Sequence, residues 1–430
     1  MPSGDLFLRG WIVFAAMVGV MLLLMLWRRQ PIGIALLGGA VAGALVNGNG
    51  LPVRHLVEGA FTYFDPLLII FTALLFMRIL QENGALGALA GQIVGSFRDK
   101  PALLLITVTL FIMLPAMLTG ISTTSVLTTG TAMAAPLAAL GLPPVNIAAL
   151  ILTASIMGMV APPINMVAML IGQGVDMPYI GFDGPLAALA FPLAFLSAFT
   201  LGYRHLKRRA VATTGNGNDT PADVRKPFIL YLPLILVLAL MLGARLFPSV
   251  VPDVGIPLIF IIGAAAALLT GERVNPVRAS YRALLTALPV LAMLAGIGIF
   301  LQIMTLTAVR GLLVVSVLGL PAVWTFAGMF VSLPVFGGVS AFASGMIFGI
   351  PFLLALLGRD EIVVCAGISA LAGLGDALPP SAIGARLAAQ AVGEVNYLKV
   401  IAKAAPLLVI SALAALAMVY WAKPLGFLSP

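Results

Sequence analysis

Apolar runs long enough to cross a bilayer follow one another along this chain, separated by short polar or basic stretches. The runs are unbroken rather than alternating, which predicts helices and not barrel strands. Spans are expected over 10–27, 31–46 and 64–80, followed by an amphipathic piece over 82–97. The next segment, 101–140, is long enough for two passes, yet its middle reads TGISTTSVLTTGT, with eight Ser or Thr in thirteen residues. A lipid-facing helix has no use for such a cluster. The pattern predicts a re-entrant hairpin with arms over 102–118 and 126–140 and a tip at 119–125. The following run, 145–172, carries Pro162 and Pro163 side by side. Proline removes a backbone donor and clashes with the preceding turn, so this span is expected to break over 160–163. A further span over 184–203 completes the pattern.

The same order then recurs. Spans are expected over 227–246, 254–270 and 284–304, then a second hairpin over 321–357 with its tip at 335–345. A span over 362–391, broken at 375–380, and a last span over 400–421 follow. Gly158, Pro162 and Pro163 match Gly375, Pro379 and Pro380 at one constant separation, which Gly141 and Gly358 share, as do Gln173 and Gln390. Each half holds five full spans and one hairpin. An odd number of crossings makes the halves inverted with respect to each other. The fold class expected is therefore an all-α polytopic membrane protein with an inverted repeat, each half five spans plus one re-entrant hairpin, and two broken helices, the pattern of a secondary transporter with a midplane site. Residues 1–203 form the first repeat, with scaffold spans over 10–80, a hairpin over 101–140 and a broken span over 145–172. Residues 204–226 are a Gly/Asn-rich linker with basic ends, and 227–430 form the second repeat, with hairpin 321–357 and broken span 362–391.

Composition sharpens this picture. Of 430 residues, 61% are hydrophobic and 9% charged, and mean hydropathy is +1.14. The net charge of +8 is no nucleic-acid signal; its basic clusters near Arg28, Lys100, Lys207 and Arg278 all fall on one face of the predicted topology. That face is assigned to the cytoplasm, which puts both termini outside. The lone Cys365 and two histidines, His55 and His205, offer no transition-metal site. No nucleotide-binding P-loop, catalytic triad or metal-protease motif occurs, so the chain is not read as an enzyme and no cofactor is expected.

The chemistry is expected at the tips and breaks. Helix N-termini at two opposed tips suit a carboxylate, and unwound carbonyls suit Na+. The candidate substrate ligands are Ser122, Thr123, Thr124, Ser125, Asn165, Ser340, Ser344 and Ser381. Candidate cation ligands are Gly120, Ser122, Val160, Ala161, Gly337, Gly338, Asp376, Ala377 and Leu378. Asp376 is the sharpest of these, because a carboxylate at bilayer depth costs roughly 2.5–3.5 kcal/mol and persists only with a cation or a proton. Arg78 and Arg310 are read as interface anchors, and Arg386 as a snorkelling residue.

TGISTTS, ALGLPPVNIAALILTASIMGMVAPPINMVAMLIGQ and GLGDALPPSAIGARLAAQAVGEVNYLKVIAKAAPLLVI together resemble the large membrane subunit of tripartite ATP-independent periplasmic (TRAP) transporters. The resemblance covers most of the chain and both repeats. It implies an elevator-type transporter of the bacterial inner membrane with both termini in the periplasm, a moving domain of hairpins and broken helices on a scaffold of the remaining spans, and a Na+ gradient as the energy source. It also implies an organic acid such as a dicarboxylate as substrate, and two partners: a separate small membrane subunit and a periplasmic substrate-binding protein. The alternative is a stand-alone carrier of the same superfamily, coupled to Na+ or to H+ through Asp376.

Overall fold

The structure is a computed structural model and describes residues 4–97, 99–206, 228–247, 252, 254–394 and 396–429. Arg98 and most of the expected linker, 207–226, lie outside the described residues. The first half begins with α1 (Gly4–Leu26), α2 (Ile32–Val46), α3 (Val53–Phe61), α4 (Phe64–Glu82) and α5 (Ala85–Phe97). Its hairpin is α6 (Pro101–Thr119) and a return arm of α7 (Ser122–Ser125), a π-helical turn at Val126–Gly130 and α8 (Thr131–Ala139). α9 (Pro144–Val160) and α10 (Met166–Gln173) are the two pieces of the broken helix, and α11 (Asp183–Ala198) follows. The second half repeats this with α12 (Leu232–Leu246), α13 (Ile256–Leu268), α14 (Pro276–Leu306) and α15 (Val309–Leu318). Its hairpin is α16 (Ala322–Gly337), α17 (Ala341–Ser344), a π-helical turn at Gly345–Gly349 and α18 (Ile350–Ala355). The second broken helix is α19 (Glu361–Gly373) and α20 (Ile383–Ala391), and α21 (Tyr397–Tyr420) is the last long helix. Seven helices among the described residues are long and apolar enough to cross a membrane.

Two bodies of packing are evident. α14 lies against α2, α3 and α4, α2 against α1, and α13 against α4 and α12; these form a frame. Its crossings are backbone to backbone: a Cβ on Gly296 would sit 2.6 Å from the Gly33 carbonyl oxygen, and one on Gly298 would overlap that of Gly59. Small residues let membrane helices approach this closely. The second body is a core in which α6 packs on α9, α16 on α19, and α21 on both broken helices. α9 is buried from Asn146 to Val160 and α19 from Val363 to Gly373, so both are enclosed on every side by other helices. α9 packs along α20 and α10 along α19. The first piece of each broken helix thus runs beside the second piece of the other. The two helices are antiparallel, as an inverted repeat requires.

The helices differ from the expected ones in instructive places. The tips are shorter. Gly120, at φ 67°, closes α6, only Ile121 is extended, and Ser122 already begins the return arm. The hydroxyls therefore sit on the first turns of a helix and not in a loop. α14 starts at Pro276 rather than at 284, because Asn275 accepts a hydrogen bond from the Arg278 amide and caps it. Arg278 and Arg282 accordingly lie on the helix. Two helices, α3 and α15, have no counterpart in the sequence pattern. α3 is nine residues with a strongly one-sided apolar face. α15 follows a sharp turn in which Ala308 is left-handed at φ 59°, and α5 follows Gly84 at φ 83°. α5 packs on α4 and α6, and α15 on α14 and α18, so these paired helices join the frame to the core.

Candidate transport site

Each hairpin is pinned to the break in its own half by the same contacts. A Cβ on Gly158 would lie 2.6 Å from the Met113 carbonyl oxygen of α6, and one on Gly375 would overlap the Gly337 backbone of α16. That close approach is why a glycine precedes each proline pair by four residues. Beyond the pair, the Ile164 amide donates to the Met117 carbonyl (3.2 Å) and the Ser381 amide to that of Gly338 (3.0 Å). Both Pro–Pro peptide bonds are cis. Inside the hairpins, Ser125 Oγ accepts from the Ala116 amide at 2.7 Å, and Ser344 Oγ donates to the Leu333 carbonyl at 2.7 Å. These two buried serines tie return arm to first arm.

The remaining predicted ligands divide by what they touch. Asn165 caps α10 by accepting from the Ala168 amide (2.9 Å) and donates to the Val160 carbonyl (3.1 Å) and to Ser369 Oγ on α19 (2.9 Å). Ser340 caps its own helix through the Ala343 amide at 3.2 Å. The first tip has no such cap: no side chain closes the N-terminus at Ser122. Instead, the buried Ser122 hydroxyl donates to the carboxylate of Asp376, on the one-turn 3₁₀ helix Leu374–Ala377. This bond joins the first hairpin to the second break. Among the described residues, no basic side chain forms an ion pair with Asp376. Ala161 and Leu378 are extended and Ala377 is buried; the Leu378 carbonyl accepts from the Ala382 amide at 3.0 Å. No three His, Cys, Asp or Glu side chains gather among the described residues.

Thr123 and Thr124 face a cleft of about 170 Å³ between the first tip and the frame, which Arg78, Gln81, Thr128 and Thr286 also line. Arg78 Nε (2.8 Å) and Arg282 Nη1 (2.9 Å) both bind the single carboxylate of Glu82. Of these three groups Arg78 lines the cleft, and two guanidinium groups on one carboxylate leave an excess positive charge beside it. In the sequence Arg78 reads as an anchor; its place on the cleft depends on the tertiary meeting of α4, α14 and the tip.

Arg245 has no counterpart among the expected residues. From the end of α12 it donates to the Pro163 carbonyl (3.0 Å), pairs with Asp183 and lies over the Tyr179 ring at 5.8 Å. A single arginine near the end of an apolar helix carries no sequence signal that separates it from an interfacial anchor.

Two hairpins, two antiparallel broken helices and polar groups gathered at their meeting point define a multi-pass membrane transporter. Residues 18–424 match the family model of the tripartite ATP-independent periplasmic transporter, DctM component, so the chain belongs to that family. Among solved structures, the chain is similar to the YdaH transporter of Alcanivorax borkumensis, described as having an unusual topology. The TM-score is 0.59 and the identity 18%, over 88% of this chain and 90% of that one. That likeness is one of fold. No curated protein sequence matches the chain.

Proposed function

We propose that this chain is the large permease subunit that carries an organic acid across the bacterial inner membrane together with Na+. The observation that carries this reading is the cleft between the first hairpin and the frame. Thr123 and Thr124 of the first tip line it with Arg78, whose guanidinium shares the Glu82 carboxylate with Arg282. Such a wall suits a carboxylate. The core of hairpins and broken helices moves as the transport domain, and the frame of α1–α4 and α12–α14 is its scaffold. α5 and α15 link the two. The break backbone and Asp376 hold the coupling ion. A separate small membrane subunit and a periplasmic binding protein complete the system, and both termini face the periplasm. Uptake of a panel of labelled carboxylates into proteoliposomes under an inward Na+ gradient tests this. Uptake is expected only when the small subunit and a loaded binding protein are present. Na+-independent behaviour under every combination would overturn it.

A second reading is favoured by Asp376, which takes a hydroxyl donor and no cation among the described residues. There the chain works alone and couples to protons through that carboxylate. Uptake by the single chain driven by a pH gradient, without Na+, distinguishes it.

A further inference from the structure

The carbonyl that follows each proline pair is capped by an arginine stacked on a tyrosine. Arg245 Nη2 donates to the Pro163 carbonyl at 3.0 Å, with its guanidinium 5.8 Å from the Tyr179 ring centre. Arg386 Nη2 donates to the Pro380 carbonyl at 3.3 Å, 4.9 Å from the ring centre of Tyr397. The break leaves this carbonyl outside any helical ladder, so it needs a donor from elsewhere. A planar cation that can also stack on a ring is suited to satisfying it.

The two caps differ in where the arginine comes from. Arg386 stands on α20, on the broken helix whose carbonyl it caps, so the pair travels together. Arg245 stands on α12, which packs on α13 and through it on the frame helix α4. Its partners all lie beyond the frame: Pro163 at the first break, Asp183 at the start of α11, and Tyr179 between them. The phenol of Tyr179 takes the neighbouring backbone group, accepting from the Asn165 amide at 2.9 Å. Burial drives that phenol's pKa well above its usual value, so it stays neutral. The two polar groups flanking Ile164 are thus both held by side chains, and only the arginine belongs to the frame.

We infer that Arg245 is a positioning residue and a latch: it fixes the first break against α12 in this conformation, and its bonds to Pro163 and Asp183 are released when the core moves. The inference rests on the reading that frame and core move relative to each other. Arg386 needs no release, because its carbonyl moves with it.

The test measures distance and needs no substrate. Spin labels on Ile180 and Leu242, both exposed, in a Cys365→Ala background report the separation of the core from α12 in proteoliposomes. Hydrogen bonds from a charged group to a buried partner are strong enough that their loss should change the ratio of the two populations by about ten-fold or more. Arg245→Gln is expected to enrich the population with the longer or altered separation by that factor. Asp183→Asn, which spares the Pro163 bond, should shift it less, and Arg386→Gln should leave it unchanged. An Arg245→Gln distribution identical to that of the unsubstituted protein overturns the latch. An equal shift in Arg386→Gln also overturns it, since it would show a general loosening of the breaks. If the unsubstituted protein shows one separation with and without Na+ while Arg245→Gln adds a second, the latch stands and the Na+-driven reading loses support.

Discussion

Ser122, on the first turn of the first return arm, donates its hydroxyl to the carboxylate of Asp376, within the second break. One bond therefore spans both repeats and joins the uncapped tip to the one acidic side chain among the predicted ligands. A carboxylate that serves only as a helix cap can be replaced by an amide of the same shape. A carboxylate that holds a cation or a proton cannot. Asp376→Asn is thus expected to lower ion-driven uptake by at least about ten-fold while the protein folds and assembles normally. Ser122→Ala removes the hydroxyl that donates to this charge and should weaken apparent ion affinity by roughly ten-fold, within the range for hydrogen bonds to charged groups. Ion titration of uptake in proteoliposomes measures both, and full coupled uptake by Asp376→Asn would sink the assignment.

The glycine before each proline pair is set by contact rather than by flexibility. A methyl group on Gly375 would overlap the Gly337 backbone, on a face where nothing can give way. Gly373, two residues earlier, would meet only side chains, the nearest being the terminal methyl of Met159 at 2.9 Å. Gly375→Ala is expected to cost about 1–3 kcal/mol, the range for overpacking, and to reduce the folded yield in detergent. Gly373→Ala should stay within roughly 1 kcal/mol, since a flexible methionine can move aside. Thermal unfolding of the two variants side by side checks this, and equal losses would remove the distinction.

These two sites show what the sequence carries and what it does not. The hairpins, the breaks and the repeat are legible because proline, glycine and a hydroxyl cluster each violate the chemistry of a lipid-embedded helix. The GxxxPP spacing even marks where hairpin and break touch. Ser122 and Asp376 stand out for the same reason. Arg245 does not, because an arginine closing an apolar helix is ordinary at a membrane interface, and only the fold brings it to Pro163. α15 is equally hidden: its boundary is a left-handed alanine, Ala308, at a position where a glycine would have signalled the turn. The tip is shorter than its run of hydroxyls suggests because Ser and Thr also begin helices, and here Ser122 to Ser125 do so.

The cleft charge gives a separate expectation. Arg78 and Arg282 share Glu82, and Arg78 lines the cleft opposite Thr123 and Thr124. If this excess charge receives the substrate's carboxylate, Arg78→Gln should raise KM by about ten-fold or more with little change in maximal rate, as the loss of a charge-assisted hydrogen bond implies. Arg78→Lys keeps the charge but loses the planar fork and should fall between. Glu82→Gln leaves two guanidinium groups without their anion and is expected to destabilise the frame. Concentration dependence of uptake separates these cases. An unchanged KM in Arg78→Gln would leave Arg78 as an anchor of α4 alone.

Asn165 is the residue whose binding and structural roles pull furthest apart. Its side-chain oxygen caps α10 through the Ala168 amide, and its side-chain nitrogen donates to the Val160 carbonyl and to Ser369 on the other broken helix. A substrate bound to this amide must displace one of those partners. Asn165→Ala loses the cap, worth about 1 kcal/mol, and leaves the Val160 carbonyl buried without a partner, at about 1–3 kcal/mol more. Asn165→Asp keeps the cap but cannot donate to Val160 or Ser369, and it puts a second carboxylate at membrane depth. Both variants are therefore expected to lose thermal stability, the aspartate at least as much as the alanine. Ser369→Ala, which removes only the far partner, should cost less than either. If instead Asn165→Ala unfolds at the temperature of the unsubstituted protein while its KM rises, the amide's bonds across the break are expendable and its role is in binding.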